Sequence, residues 1–467
     1  MTTPAVPVVP PRTPAPGPSR RAFLRLSAAV ALQPGVIRAA ADTSGSPPWF
    51  RRFPRDPGLE ARVPVVRIAT GRTIHRFFDT SPLSPSGRYA GLFRLPQETR
   101  TPQPGESGEV VVIDLHTGQE RVVATSRGWE VQLGANVQWG RTDAELYFND
   151  VDPATWTPFA VQLDPLTGRS RRLAGTVFTV SPDGTQLTSY NLVSSRRIQV
   201  GYGVVVPDGH ARRNLGPVDD DGIFITDLAT GSTRLIASIR DICTRAVPRL
   251  EIPHAERCEF YCFQVRWNRQ GTRLMTFLRW HDPAEPKGGP RRLTLVTMRG
   301  DGSDIRLAVT PAQYARGGHH PMWAPDGEHL TINLNVRDGT KDLDLVQVRY
   351  DGSTRSSVHP VGSGHPSRHP TLPFVVTDAY THEPLARPNG TVPLRLIDLR
   401  DQTEVALAWV PARRSDSARL TTEFRIDQHP VWDATGRLLI FNGVHADTRA
   451  VYVADVGSWL DQAMART

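Results

Sequence analysis

Cysteine and lysine are the residue types that this 467-residue sequence has least of. It contains three cysteines, and Lys287 and Lys341 are the only lysines among its 55 basic residues. Three cysteines allow at most one disulfide. Arginine suits planar, bidentate capture of carboxylates, although a GC-rich genome would give the same bias. No run of eighteen apolar residues occurs, which predicts a protein with no membrane-spanning helix.

The formal charge of +8 is concentrated at the beginning of the chain. Residues 1–41 contain five arginines and no acid, so subtracting these five charges from +8 leaves about +3 for the rest. A charge of this size gives no footprint for a polyanion. We therefore expect no nucleic-acid partner.

The first forty residues have the layout of an export signal. Ser19-Arg20-Arg21 precedes Ala-Phe-Leu, a mildly apolar stretch follows at 26–32, and three alanines end at Ala41. This pattern resembles a twin-arginine signal peptide over residues 1–41. It implies cleavage after Ala41 and a secreted or periplasmic protein. The twin-arginine route exports folded proteins, often with a cofactor bound, which mildly favours a metal.

The three cysteines fall within twenty residues, at Cys243, Cys258 and Cys262. Because an oxidising compartment permits a disulfide, we expect a Cys243–Cys258 pair that closes an inserted loop. Cys262 lies in a predicted buried strand and would remain a thiol. Three cysteines without a suitably spaced histidine are weak evidence for zinc.

One motif recurs seven times: a short apolar strand often ending in Trp, a Pro-Asp-Gly-like turn, and a second strand. Gly or Asp supplies the positive φ that a tight hairpin needs. A further strand pair follows each copy, and four strands per unit in seven units predict an all-β, seven-bladed β-propeller. The seven turns lie at Leu83–Gly87, Trp139–Asp143, Val180–Gly184, Trp267–Gly271, Trp323–Gly327, Arg368–Leu372 and Trp432–Gly436.

The last blade ends one strand short, after Val451–Val456. Val65–Ala69 lies before the first repeat and is expected to supply the missing strand, which leaves no free edge. We therefore divide the chain into a linker at 42–60, a propeller at 61–460 and a tail at 461–467, and expect a monomer. Tyr202–Leu215 and Arg240–Glu259 are excursions of the type that helps to build a site. No Gly-x-Ser-x-Gly occurs, which excludes peptidases with a serine-hydrolase domain beside the propeller.

Aligning the repeats without gaps identifies the residues that face the central channel. The residue three before each Trp lies near the start of the innermost strand, and side-chain alternation directs it into the channel. Four of these seven residues can ligate metal, and they lie on successive blades. Around the ring the residues are Thr80, Asn136, Val177, Gln264, His320, His365 and His429.

We predict a divalent metal held by His320, His365, His429 and Gln264. Imidazole nitrogens and an amide oxygen form a mixed site that leaves positions open for a substrate carboxylate or water. Alternatively, the histidines line a hydrated tunnel and bond to the backbone. Three histidines at one register, each followed by Pro, favour the metal.

Two positions after this level, Arg266 is the only charged residue, and Gln138 occupies the same level in blade two. Arg266 is expected to point at the same space and to hold a carboxylate, with a salt bridge to a neighbouring blade as the alternative. His75 precedes blade one beside Arg76, and it could exchange a proton near neutral pH. Tyr380 and His445 are further candidates at hairpin ends. His319 and His369 are expected to support the site or the fold.

Several of these motifs resemble the oligogalacturonate lyase type of propeller, and still more the L-rhamnose-α-1,4-D-glucuronate lyases. The resemblance covers residues 60–458, and its specific parts are Gly-His365-Pro, Val-Thr-Asp378-Ala-Tyr380, Asp427-Gln-His429-Pro and His320-Pro-Met-Trp. It implies a channel cation held mainly by histidines, with Gln264 or Gln428 as a further ligand. The oligogalacturonate pattern has an extra His where Asp427 stands, which argues against plain oligogalacturonate as the substrate.

The resemblance implies a lyase that cleaves at O4 of a uronic acid by metal-assisted β-elimination, with L-rhamnosyl-α-1,4-D-glucuronate as the expected substrate. The metal would be Mn²⁺ or Ca²⁺. Arg266, with Gln138 and Arg76, would bind the acidic oligosaccharide, and His75 and Tyr380 would serve catalysis. The alternatives are an oligogalacturonate lyase, a metal-dependent hydrolase on the same ring, and a non-enzymatic TolB-like propeller that binds a peptide or glycan.

Overall fold

A computed structural model describes residues 45–196, 199, 201–285 and 292–466 of the chain. It contains seven antiparallel sheets, six of four strands and one of five. Each is one blade of a seven-bladed β-propeller, which confirms the predicted fold. The twin-arginine segment lies outside the described residues. Within them, no helix is long and apolar enough to cross a membrane.

The strands of each blade follow one another from the channel outward. The first four blades comprise Thr73–Ile74, Tyr89–Arg94, Gly108–Asp114 and Gln119–Ser126; Gln138–Trp139, Leu146–Val151, Pro158–Leu163 and Ser170–Leu173; Thr179–Val180, Gln186–Tyr190, Gly222–Asp227 and Thr233–Ser238; and Glu259–Trp267, Arg273–His281, Arg292–Arg299 and Arg306–Val309. The last three comprise Gly318–Trp323, His329–Leu334, Asp344–Arg349 and Arg355–His359; Ser367–Arg368, Phe374–Thr377, Thr391–Asp398 and Thr403–Pro411; and Val431–Trp432, Leu438–His445, Thr448–Asp455 and Val65–Ala69.

The recurring tryptophan joins each blade to the one before it. The indole Nε1–H of Trp139 donates to the carbonyl of Pro82 at 2.8 Å, and that of Trp323 donates to the carbonyl of Arg266 at 3.1 Å. Trp432 donates in the same way to the preceding blade. A buried indole needs a partner for its N–H. The repeat therefore encodes contacts between blades as well as hairpins within them.

The ring closes as the sequence predicts. Val65–Ala69 pairs antiparallel with the strand Thr448–Asp455 and completes blade seven. A second N-terminal strand, Glu60–Ala61, adds a fifth strand to blade six. Within the expected linker, the 3₁₀-helix Pro48–Arg52 buries Trp49 and packs against the core between blades seven and one. Most of the described part of 42–60 is therefore attached to the propeller.

Among the described residues, four α-helices lie outside the sheets. They are Leu192–Arg196, Ile239–Arg245, Pro311–Tyr314 and Gly457–Ala465. The last extends through most of the expected tail at 461–467. Short 3₁₀-helices lie at Asp208–His210, Ala255–Arg257, Ser417–Arg419 and Thr422–Phe424. The two predicted excursions are present, and a third at residues 412–430 joins blades six and seven.

The expected Cys243–Cys258 disulfide is absent, because all three cysteines are free thiols. Cys243 lies instead near Cys262. Burial raises the pKa of the Cys262 thiol well above its usual value. Cys258 begins the innermost region of blade four and packs into the core. Cys243, on helix Ile239–Arg245, packs against the same core and also lines a small cavity with residues 249–252 of the neighbouring loop.

Candidate functional site

Left-handed backbone conformations place the channel-facing side chains. Asn136, Gln264, His320 and His429 all have positive φ, between 48° and 58°. Gln264 is an extra residue between the pairs Phe263–Phe277 and Val265–Thr276, which makes it a β-bulge. Bulges re-aim a side chain, and a non-glycine residue in this region costs about 1–2 kcal/mol. Four of the seven aligned positions thus have a left-handed conformation, and at Gln264 a β-bulge rather than simple alternation directs the side chain.

Three of these channel residues form a compact histidine cluster. The ring centroids of His320 and His365 are 4.0 Å apart, and those of His365 and His429 are 4.3 Å apart. His365 and His429 are buried. Burial lowers the pKa of both His320 and His429 well below the usual value. His320 and His429 are therefore neutral at neutral pH and keep lone pairs for a ligand.

Asp378 connects the histidines of blades six and seven. Its carboxylate accepts from His365 Nδ1 at 3.0 Å and from the backbone N–H groups of His365, Gln428 and His429 at 2.6–3.2 Å. Burial opposes ionisation of Asp378, but His365 and these N–H groups hold its pKa below the usual value. In the tautomer whose Nδ1–H donates to Asp378, Nε2 of His365 carries the lone pair. A carboxylate behind a metal-binding histidine orients the ring in this way.

Asp427 joins the cluster. His365, Asp427 and His429 each offer a ligand atom, and these atoms lie within 4.8 Å of one another. Asp427 also pairs with Arg425 at 2.8 Å. His320 lies beside this group, with its Nδ1 2.9 Å from the carbonyl of Gly364. Sequence reasoning noted Asp427 only as a departure from the oligogalacturonate pattern.

Several buried ligand atoms in the cluster lack a partner. His365 Nε2, both ring nitrogens of His429, and the side-chain oxygens of Gln264 and Gln428 have no hydrogen bond among the described residues. An unsatisfied buried polar group costs about 1–3 kcal/mol. Neutral imidazoles, a carboxylate and amide oxygens form a donor set that fits a divalent transition ion. The residues present therefore fit the predicted metal, with Asp427 as an additional candidate ligand.

A groove of about 1,090 Å³ opens above the cluster. We call it the histidine groove, and the side chains that matter for chemistry are Gln264, His319, His320, Tyr380, His382, Arg279, Arg413, Arg414, Arg425 and Asp427. The Tyr202–Leu215 excursion contributes Tyr202 to its wall, and the 412–430 excursion contributes most of one side. The groove is large enough for an oligosaccharide, because small-molecule sites span about 300–1,000 Å³.

Two arginines of the histidine groove lack a carboxylate partner within the part of the chain that the structure describes. Arg279 stacks over Phe263, with its guanidinium carbon 4.4 Å from the ring centroid, and donates to Gln199. Arg413 donates to the carbonyl of Thr381 at 3.1 Å. Arg414 and Arg425, by contrast, are paired with acids. Arg279 and Arg413 are therefore available to an anionic ligand.

Two groups that can carry protons line the same groove. The Tyr380 hydroxyl lies 3.3 Å from His320 Nδ1, and burial raises the pKa of Tyr380 well above its usual value. Burial lowers the pKa of His319 to about 3. Its Nδ1 lies 3.2 Å from the Asn333 amide nitrogen. Tyr380 is therefore a protonated hydroxyl and His319 a neutral imidazole at neutral pH.

Phe77 and Phe78 divide the channel. The Phe77 ring centroid lies 4.5 Å from that of His429 and 5.7 Å from that of His365. The Arg266 guanidinium carbon lies 5.2 Å from the Phe77 centroid and 5.1 Å from that of Phe78. Both rings thus contact the histidine cluster and Arg266. We call this aromatic pair the barrier.

Arg266 does not share the space of the histidines, contrary to expectation. Its Nε pairs with Asp79 Oδ2 at 2.6 Å, which is the salt-bridge alternative. Arg76 pairs with the same Asp79 at 3.3 Å. Arg266 and Gln138 line a separate cavity of about 350 Å³ at the ends of the innermost strands. We call it the arginine cavity, and its polar and aromatic lining includes Asp79, Thr80, Ser81, Gln138, Trp139, Arg141, Thr179, Arg266, Trp267, Arg269 and Trp323.

His75 is also away from the groove, which contradicts its expected place beside the substrate. It is fully buried, its Nε2 lies 3.4 Å from the carbonyl of Gln428, and burial lowers its pKa to about 4. His445 pairs with Asp56 at 2.7 Å, and His369 lies 3.1 Å from the carbonyl of Gly436. None of the three lines the histidine groove.

No protein-family model matches the chain, and no curated protein matches it. Among solved structures, the chain shares the seven-bladed fold of oligogalacturonate lyases. One is an oligogalacturonate lyase in complex with manganese, at 13% identity and a TM-score of 0.56, covering 86% of this chain and 95% of that one. Another is the oligogalacturonate lyase from Vibrio parahaemolyticus, at 13% identity and a TM-score of 0.54, covering 85% and 94%.

Proposed function

We propose that the chain is a metal-dependent lyase of uronate-containing oligosaccharides. The observation that carries this proposal is the convergence of His365, His429 and Asp427, with unpartnered buried nitrogens, beside a groove that contains two unpaired arginines. A bound divalent cation would neutralise the uronate carboxylate and so make the C5 proton acidic. The fold shared with oligogalacturonate lyases supports the same class of reaction.

The groove residues divide the remaining work. Arg279 and Arg413 bind substrate carboxylates, because their guanidinium groups have no acid partner among the described residues. His319 is the candidate base for the C5 proton, because its imidazole is neutral at neutral pH and lines the groove. Tyr380 is the candidate donor of a proton to the O4 atom that leaves, because it lines the same groove and its hydroxyl is protonated at neutral pH. The products are an unsaturated uronate and the sugar or aglycone released at O4.

We propose L-rhamnosyl-α-1,4-D-glucuronate as the preferred substrate, with oligogalacturonate second. Asp427 supports this order, because a carboxylate lies where the oligogalacturonate pattern has histidine. We propose Mn²⁺ as the cation, since histidine nitrogens favour a transition ion over Ca²⁺. The twin-arginine pattern supports export to the periplasm or the medium.

A substrate panel tests the proposal. The protein is mixed with rhamnosyl-glucuronate fragments of gum arabic, oligogalacturonate or glucuronan, and the ultraviolet absorbance of unsaturated uronate is followed. We expect product from a uronate substrate, abolished by chelator and restored by Mn²⁺. Saturated sugars would instead identify a hydrolase. Metal-free protein that binds glycan or peptide without turnover would identify a TolB-like scaffold.

A further inference from the structure

We propose that the arginine cavity is a second ligand site, which binds a small sugar acid without cleaving it. The site lies across the barrier from the histidine groove and uses none of the candidate metal ligands. It therefore goes beyond the proposed lyase function and does not depend on it.

The arginine cavity contains a buried positive charge that is only partly compensated. Arg266 is 4% exposed, and its Nη2 has no hydrogen-bond partner in the described part of the chain. Arg266 shares its single carboxylate, Asp79, with the buried Arg76. Another buried acid, Glu130, has no direct hydrogen bond to Arg76. Asn136 lies between them, where it accepts from Arg76 Nε and donates to Glu130. A buried guanidinium with half a counter-ion is costly unless further negative charge approaches it.

The rim of the cavity adds further positive charge. Arg141 and Arg269 are exposed residues at the mouth of the cavity. Their side chains donate only to main-chain carbonyls, of Asp183 at 3.3 Å and of Pro370 at 2.5 Å. Neither guanidinium has a carboxylate partner among the described residues. Three arginines thus face one carboxylate around this cavity, and a planar carboxylate ligand matches guanidinium geometry.

Size and lining point to a sugar acid rather than a polymer. The cavity holds about 350 Å³, at the small end of the range of roughly 300–1,000 Å³ for ligand pockets. Besides the arginines, its lining residues include Thr80, Ser81, Trp139 and Trp267. The hydroxyl groups of Thr80 and Ser81 match sugar hydroxyls, whereas the indole N–H groups of Trp139 and Trp267 already have protein partners. A carboxylate-bearing monosaccharide therefore matches the arginines and the hydroxyl residues.

The barrier makes this a binding site without chemistry. The Phe77 and Phe78 rings contact Arg266 and also the histidine cluster. A ligand beside Arg266 is therefore kept away from His319, Tyr380 and the candidate metal ligands. Its binding should leave turnover in the groove unchanged.

Isothermal titration with D-glucuronate tests the proposal. The background is Arg279→Gln/Arg413→Gln, because this double variant removes the unpaired guanidinium groups of the groove. We expect one site per chain, with affinity reduced at least about tenfold when Arg141→Gln and Arg269→Gln are added. Arg88→Gln is the matched control, since Arg88 is paired with Asp114 and does not line the cavity. Neutral D-glucose should not compete.

Three results would overturn the proposal. They are the absence of glucuronate binding to the background variant, binding that the rim substitutions leave unchanged, and inorganic phosphate binding as tightly as glucuronate. A crystal structure of the native protein with D-glucuronate gives an independent measurement, in which the carboxylate should contact Arg266. Lyase assays on Arg141→Gln/Arg269→Gln separate this site from the proposed function, because their turnover should equal that of the native protein.

Discussion

The two ends of the propeller channel are built from opposite chemistry. The histidine cluster beside the groove contains buried imidazole nitrogens with no hydrogen-bond partner among the described residues, whereas the arginine cavity contains guanidinium groups around Asp79. The two phenylalanines of the barrier, Phe77 and Phe78, contact both. Residues two positions apart in one inner strand, such as Gln264 and Arg266, therefore belong to different sites.

This contrast shows how much a short aromatic segment changes in a propeller. An open channel would let Arg266 help to neutralise a substrate carboxylate at the metal. The barrier prevents this, and Asp79 occupies the guanidinium instead. In the proposed reaction, arginines from outside the innermost strands, Arg279 and Arg413, take the role that the repeat pattern assigned to Arg266, because they line the groove and Arg266 does not.

The largest expected effect separates the two ends by activity. His365→Ala removes a bare Nε2 from the cluster and frees Asp378, so lyase activity should fall by roughly a thousandfold or more. Metal content measured by elemental analysis should fall with it. Arg141→Gln/Arg269→Gln, at the other end, is the control and should keep both. Full activity in His365→Ala would exclude this histidine from the site.

The second largest expected effect is a loss of free energy of unfolding when the barrier is removed. Phe77→Ala deletes a fully buried ring, and such substitutions cost about 3–5 kcal/mol in free energy of unfolding. Denaturant unfolding of metal-free protein measures this cost. Phe77→Leu, which keeps most of the apolar volume, should lose much less. If the alanine variant matched the leucine variant, the ring would not be a packed divider between the ends.

Acid should destabilise the histidine end before the arginine end. Burial lowers the pKa of His75 from 6.5 to about 4, so the unfolded chain takes up this proton first. The stability from neutral His75 is complete above pH 6.5 and is lost as pH falls towards 4, by up to about 3 kcal/mol. Asp79, whose pKa is lowered from 3.8 despite burial, loses its contribution only below that value.

Unfolding by denaturant at several pH values, with chelator present, measures this difference. His75→Gln should reduce the loss of stability between pH 6.5 and 4 by the share of this one histidine, while Asp79→Asn should leave that slope intact. The reverse pattern would contradict the assignment of the two pH windows.

Substrate affinity should show the smallest of these effects. Arg279→Gln should raise KM by about 10- to 100-fold, because a hydrogen bond to a charged group contributes about 1.5–3 kcal/mol. Steady-state assays against oligosaccharide concentration measure it. Arg414→Gln should not reproduce this rise in KM, since Arg414 is paired with Asp416 and Glu98. Equal KM values in Arg279→Gln and the native protein would remove Arg279 from substrate binding.

The repeat pattern predicted the fold well because the same strand–turn–strand motif recurs in every blade. The seven turns and the closing strand Val65–Ala69 appear where expected. The aligned position also brought His320, His365 and His429 together, although left-handed backbone conformations rather than alternation aim His320 and His429. Repetition makes a register readable even when single strands are only two residues long.

What the sequence did not reveal lies outside the repeats. Asp427 and Arg413 belong to the 412–430 excursion, which carries no hairpin signature, and Arg279 lies beyond the innermost strand of blade four. The barrier precedes the first blade turn, and only packing places it inside the channel. His75 was mistaken for a substrate-facing residue for the same reason. Contacts between segments distant in sequence decide these positions.

The left-handed residues of the inner strands carry a consequence for engineering. Gln264, His320 and His429 adopt a backbone that glycine would adopt without steric cost. The larger side chains at these positions therefore carry a conformational cost. A designer who needs only a rugged scaffold could place glycine at these three points and gain thermal tolerance while giving up the candidate ligands.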